Sequence, residues 1–152
     1  MQGNTVGRPM EILVVEDDLL QARLTMEAIR RSDFQQRTSL VPDGQQALDF
    51  LFQRGVFSRA PQPDLILLDL RLPTIDGLEV LSEIRADEEL KSVPVVIMTS
   101  SQDESDRLAC EEHAVEAYLP KPLDLTKFLT LLQDLRRFWH RGMILPQAIQ
   151  LT

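Results

Sequence analysis

Short apolar runs alternate along the chain with stretches whose apolar residues recur at helical spacing. Residues 11–15 (EILVV), 65–69 (LILLD) and 94–99 (PVVIMT) are brief and rich in Val, Ile and Leu. Runs of this kind suit strands buried on both faces of a parallel sheet. Residues 37–41 and 117–119 give weaker strand signals. Between the runs, Leu20, Leu24 and Ala28 recur every four residues, Ala47, Leu48, Leu51 and Phe52 form a second stripe, and Leu78, Leu81 and Ile84 a third. Phe128, Leu131, Leu132, Leu135 and Trp139 form the strongest and last. Ser101-Gln102-Asp103-Glu104 reads as a capping box at a helix start, and Asp43-Gly44 and Asp76-Gly77 as starts capped by Asp. The alternation of strand and helix predicts an α/β, doubly wound, open parallel sheet of five strands with helices on both faces.

Composition narrows the class. The chain has 152 residues, 43% of them hydrophobic and 26% charged, which suits one compact domain and argues against disorder throughout. The net charge of -8 disfavours nucleic acid as a partner. A single cysteine, Cys110, excludes an internal disulfide and a cysteine-based zinc site, and reads as a packed helix residue. His113 and His140 are isolated. No apolar run approaches the roughly 20 residues that span a bilayer, and residues 1–9 are polar, without the apolar centre of a secretory signal. The expectation is a cytoplasmic protein with a disordered N-terminus over residues 1–9, no membrane contact, and no room for a DNA-binding output domain. The charge is unevenly spread: residues 1–122 carry 22 acidic and 12 basic side chains, the remaining residues 2 and 4.

In open parallel sheets, chemistry gathers at the carboxyl ends of the strands. The first strand runs into Glu16-Asp17-Asp18, the third ends in Asp69, the fourth in Thr99 and Ser100, and the fifth leads to Lys121 between two prolines. At least three carboxylates, a hydroxyl and an ammonium therefore meet around one crevice. Crowded carboxylates repel, and a hard, oxygen-seeking divalent ion such as Mg²⁺ is the expected counter-charge. Lysine is scarce, with only Lys91, Lys121 and Lys127, and Lys121 reads as an ammonium held for a carboxylate or phosphoryl oxygen.

This set of residues, with the strings ILVVEDD, VPDGQQAL, DLILLDLRLPTIDGLEVL, VPVVIMTS and AYLPKP, resembles the receiver domain of two-component response regulators over residues 10–139. The likeness is greatest to the stand-alone regulators paired with phytochrome kinases, through ALDFLFQRGVFSRAPQPDLILLDL and the segment from Phe138-Trp139 to Leu145-Pro146. It implies a flavodoxin-like fold with strand order 2-1-3-4-5. It also implies a signalling protein, with no enzymatic role beyond self-catalysed phosphotransfer and dephosphorylation. Asp69 matches the phosphoacceptor, and Glu16, Asp17, Asp69 and the backbone carbonyl of Arg71 the Mg²⁺ ligands. Lys121 matches the residue that pairs with the acceptor, Thr99 the hydroxyl that hydrogen-bonds the phosphoryl group, and Tyr118 the aromatic switch. The implied partners are a histidine kinase, of phytochrome type on the narrower likeness, and a downstream phosphotransfer protein. Two positions depart from the commonest pattern: Arg71 puts a cation at the mouth of the site, and Pro120 stiffens the approach to Lys121. The helix beginning near Asp103 has Leu108 as its only large aliphatic residue, so thin anchoring is expected there.

The last helix carries more apolar surface than one side of a sheet uses, and an apolar tail follows it. Phe128, Leu132, Leu135, Phe138, Trp139, Ile144 and Leu145 are expected to form a homodimer interface, with residues 140–152 as an arm on the partner and Arg136, Arg137 and Arg141 facing its acidic body. Regulators of the type resembled do dimerise through this side, and some exchange C-terminal arms.

Three further readings compete. A phosphohydrolase of the haloacid-dehalogenase type also uses Asp with Thr and Lys, but needs a second Asp two positions on, where Arg71 stands. A receiver-like module without phosphorylation would not need the intact set of Glu16, Asp17, Asp69, Thr99 and Lys121. A flavin-binding protein would want a phosphate cradle where the first strand here leads to carboxylates.

Overall fold

The computed structural model describes residues 8–32, 35–121 and 124–134, the side chains of residues 132–134 excepted. Its elements run β1 (Met10–Val15), α1 (Leu19–Arg30), β2 (Gln36–Val41), α2 (Gly44–Leu51), β3 (Leu65–Leu68), α3 (Gly77–Ala86), β4 (Val95–Thr99), α4 (Glu104–Glu112), β5 (Ala117–Pro120) and α5 (Leu125–Asp134). All strand pairs are parallel, and the order is β2-β1-β3-β4-β5, the doubly wound arrangement expected.

The three strongest apolar runs are the three interior strands. Every residue of β1, β3 and β4 is buried, because helices cover both faces and neighbours flank both edges. Their side chains alternate between two cores. One face packs Leu13, Val15, Ile66, Leu68, Val95 and Ile97 with α2 and α3; the other packs Ile12, Val14, Leu65, Leu67, Val96 and Met98 with Ile29 of α1 and Phe128 of α5. The two weak strand signals, β2 and β5, are the sheet's edges, where fewer positions are enclosed.

Several local expectations need correcting. The Leu20, Leu24, Ala28 stripe is not the buried face of α1: Leu20 is 65% and Leu24 43% exposed, while Ala22, Thr25 and Ile29 face the sheet. Ile29 joins the core on that face of the sheet, and the leucines are left on the outside. At α4 the cap is Asp103, whose side chain accepts from Ser105 N, while Ser101 Oγ accepts from Asp103 N one turn earlier. Asp76 precedes α3 without a side-chain cap bond. Asp43 does cap α2, accepting from Gln46 N at 2.8 Å.

Residues 1–7 of the expected disordered terminus lie outside the described residues. Arg8, by contrast, donates from both guanidinium nitrogens to Asp64, at 2.7 and 2.9 Å. Phe128, expected at a subunit interface, is instead fully buried in the chain's own core. Of the other interface residues, Leu132 lies in α5 without a described side chain, and Leu135, Phe138, Trp139, Ile144 and Leu145 lie outside the described residues, as does the arm.

Candidate functional site

The parallel ladders bring the chemically distinctive residues to one end of the sheet. Beyond β1, Glu16 N donates to Val41 O at 3.0 Å, so the acidic segment leaves the sheet at a fixed angle. Asp18 then caps α1 by accepting from Gln21 N at 3.0 Å, which turns the chain away and leaves Glu16 and Asp17 at the strand mouth. Asp69 continues the β1–β3 ladder by one bond, donating from its N–H to Val15 O at 3.1 Å. Lys121 does the same beyond β5, donating to Thr99 O at 3.2 Å. Behind the loop that follows β3, Gly77 N donates to Leu70 O at 2.9 Å, and a Cβ on Gly77 would meet Asp69 O at 2.2 Å. That residue therefore has to be glycine for α3 to pack against the loop.

The side chains converge as the sequence predicts. One carboxylate oxygen from each of Glu16, Asp17 and Asp69 lies within 4.8 Å of the others. Glu16 and Asp69 are buried and Asp17 is exposed. Lys121 Nζ donates to Asp69 Oδ2 at 2.9 Å and forms a second, short ion pair with Glu16. The Glu16 contact was not anticipated, since only the Asp69 pairing follows from the motif.

One ammonium among three carboxylates leaves an excess of two negative charges, which matches the chemistry of a divalent ion. Burial pushes the Glu16 carboxyl above the ordinary glutamate value, and the bonds from Lys121 and from Asp18 N only partly offset it. Burial opposes the Lys121 charge as well, but hydrogen bonds to Glu16 and Asp69 outweigh it and hold the ammonium above the usual lysine value.

Thr99 is 2% exposed at the end of β4, and its Oγ1 accepts from Ser101 N at 3.0 Å. Thr99, Tyr118 and Lys121, with Ser100, Ser101, Gln102 and Pro120, line a cavity of about 280 Å³ beside the acidic cluster. The Tyr118 hydroxyl is buried and finds no hydrogen-bond partner among the described residues; burial, then Cys110 and Asp106, push its ionisation upward.

Arg71 does not point freely at the mouth of the site. Its guanidinium forms a short ion pair with Asp106 of α4 and reaches Asp76 at 3.9 Å, while its backbone N–H lies 3.4 Å from Asp69 Oδ1. Asp106 is 5% exposed and also accepts from Ser101 Oγ at 2.8 Å. Sequence reasoning missed Asp106 because acidic residues in a helix's first turn read as solvated charge. Its spacing from Cys110, one helical turn on, is the only signal that would have placed it on the inner face.

Residues 12–133 match the response regulator receiver domain family. Response regulator Rcp1 of Synechocystis sp. is 40% identical over 140 residues, which is 92% of this chain and 95% of that protein. The Mn²⁺-bound crystal structure of Rcp1 superposes with a TM-score of 0.74, covering 91% of this chain and 99% of that one. The bacteriophytochrome response regulator RtBRR is 43% identical, with a TM-score of 0.78, covering 88% and 81%. The phosphorylated cyanobacterial phytochrome response regulator RcpA is 36% identical, with a TM-score of 0.75, covering 92% and 100%. The chain belongs to the response regulator receiver domain family, and its close relatives include phytochrome-associated, single-domain regulators.

Proposed function

We propose that this chain accepts a phosphoryl group on Asp69 from a phosphorylated histidine kinase and relays the signal by protein–protein contact. The observation that carries the proposal is the buried Asp69 carboxylate held at 2.9 Å by Lys121 inside a cluster of three acidic side chains, with Thr99 and Lys121 lining the adjoining cavity. A carboxylate is a weak nucleophile, and a phosphoryl donor is itself anionic, so the charge must be neutralised before they meet. Glu16, Asp17, Asp69 and the backbone carbonyl of Arg71 would hold Mg²⁺, which supplies that neutralisation when bound. An Asp69 oxygen forms the new P–O bond as the P–N bond of the phosphohistidine breaks. Lys121 passes from Asp69 to a phosphoryl oxygen, and Thr99 donates its hydroxyl to another.

The switch that follows involves Thr99 and Tyr118. Moving Thr99 toward the phosphoryl group vacates space in the cavity that Tyr118 also lines. The likeness to phytochrome regulators makes a phytochrome the proposed kinase and the cytoplasm the proposed location. The exposed leucines of α1, Leu19, Leu20 and Leu24, begin immediately beyond Asp17-Asp18 and offer a protein partner an apolar rim. Arg71, paired with Asp106, leaves no carboxylic acid where a haloacid-dehalogenase phosphohydrolase needs one. A homodimer built through α5 and residues 140–152 is part of the same proposal. It rests on the apolar sequence there, and sedimentation of the chain lacking residues 142–152 tests it.

Intact-mass measurement after incubation with Mg²⁺ and acetyl phosphate tests the central step. One added phosphoryl group, absent in Asp69→Asn and absent when Mg²⁺ is chelated, is the expected result. Turnover of phosphate esters without a trapped adduct would sink it.

A further inference from the structure

We propose that Arg71, Asp106 and Ser101 form a latch that holds α4 down in the resting protein and that phosphorylation of Asp69 opens. The inference rests on the phosphoacceptor reading above and adds a specific means by which charge at Asp69 reaches a helix.

α4 is held to the body by little. Its buried residues are Asp106 and Cys110 alone, and Leu108, its one large aliphatic side chain, is 50% exposed. One of its two anchors is therefore a carboxylate, and that carboxylate is tolerated in the interior because Arg71 and Ser101 satisfy it. Both partners belong to the active-site loops. Arg71 is two residues from Asp69, and Ser101 donates its backbone N–H to Thr99 Oγ1 at 3.0 Å. An unbroken chain of contacts thus runs from Asp69 through Arg71, Asp106 and Ser101 to Thr99.

Phosphorylation replaces the single negative charge of the Asp69 carboxylate with an acyl phosphate that carries close to two, spread over three oxygens that reach toward Arg71. The Arg71 side chain is 56% exposed and rotatable, and its planar guanidinium donors suit phosphoryl oxygens better than a single carboxylate oxygen. A Thr99 hydroxyl drawn to the same group also disturbs the loop that carries Ser101. Asp106 then loses its cation and its hydroxyl donor together. A buried carboxylate without a counter-charge is strongly unfavourable, and turning the first turn of α4 outward returns it to water. Arg71 is thus a positioning residue for α4, acting through Asp106.

Hydrogen exchange at the α4 amides, residues 104–112, measures the latch, with intact mass recorded on the same samples. In the unmodified protein, Arg71→Gln and Asp106→Asn should each speed α4 exchange about fivefold, the worth of one ion pair of this kind. The double variant should be no faster than either single one, and Arg71→Lys should restore part of the protection. Acetyl phosphate with Mg²⁺ should speed α4 exchange in the wild type and add little in the variants. A phosphoryl adduct on the wild type with α4 exchange unchanged would overturn the latch alone. Resting exchange in either single variant equal to wild type would overturn it too. Failure to form any adduct would overturn the phosphoacceptor reading itself, and the opening step with it.

Discussion

Lys121 sits between two buried carboxylates, and its side chain is only 8% exposed. Removing it leaves Glu16 and Asp69 facing each other without a cation. Lys121→Met should therefore lower stability by about 3 kcal/mol at neutral pH without metal, the scale of a broken buried pair. Adding Mg²⁺ should restore part of it, as urea denaturation with and without the ion would show; equal midpoints for wild type and variant would contradict the assigned pairing. Cys110 makes a second residue-scale case. Its thiol is fully buried and pushed up to about 11 by that burial and then by Asp106. An unfolded thiol ionises near 9.0, so in the window between these values the folded state binds more protons than the unfolded one. Stability contributed by Cys110 is thus complete below about 9 and declines as pH rises toward about 11. Alkylation by iodoacetamide at pH 8 should be slow in the native protein and fast in urea; rapid native alkylation would contradict the burial. The candidate site residues are legible in the sequence because Asp69, Thr99 and Lys121 each lie at the end of an apolar run. Asp106 was not, because nothing local separates a buried acidic side chain from a solvated one.

At the scale of elements, legibility follows enclosure. β1, β3 and β4 are covered on both faces and flanked on both edges, so their sequences contain little but apolar residues and read directly as strands. β2 and β5 lie at the edges and carry polar positions that dilute the pattern. The leucines of α1 are out of phase with its inner face, which is built from Ala22, Thr25 and Ile29. Where elements meet most closely, one residue decides the fit. A Cβ at position 77 would collide with Asp69 O at 2.2 Å and with Leu70 Cα at 2.6 Å. Both are backbone atoms that cannot swing aside. Gly77→Ala should cost about 1–3 kcal/mol in thermal or urea unfolding, and should slow formation of the phosphoryl adduct because the loop carrying Asp69 must move. Unchanged stability with an unchanged rate would show that α3 can shift without disturbing the acceptor.

For the whole molecule, the net charge of -8 is best understood in parts. Glu16, Asp17 and Asp69 place three of the acidic groups in one cluster, partly offset by Lys121 and suited to a divalent ion. Among the described residues no helix is long and apolar enough to cross a membrane. The fold brings four strand ends to one place, and the proposed mechanism carries a change at Asp69 to β4 through Thr99, to β5 through Lys121 and to α4 through Arg71. The proposed mechanism requires an Asp69 carboxylate oxygen to be the point of phosphoryl attachment. Borohydride reduction of the protein after treatment with acetyl phosphate and Mg²⁺, followed by peptide mass spectrometry, tests that most directly, because an aspartyl phosphate is reduced to homoserine. The account predicts homoserine at position 69 and at no other aspartate; homoserine elsewhere, or none in a sample whose intact mass shows the phosphoryl group, would contradict it.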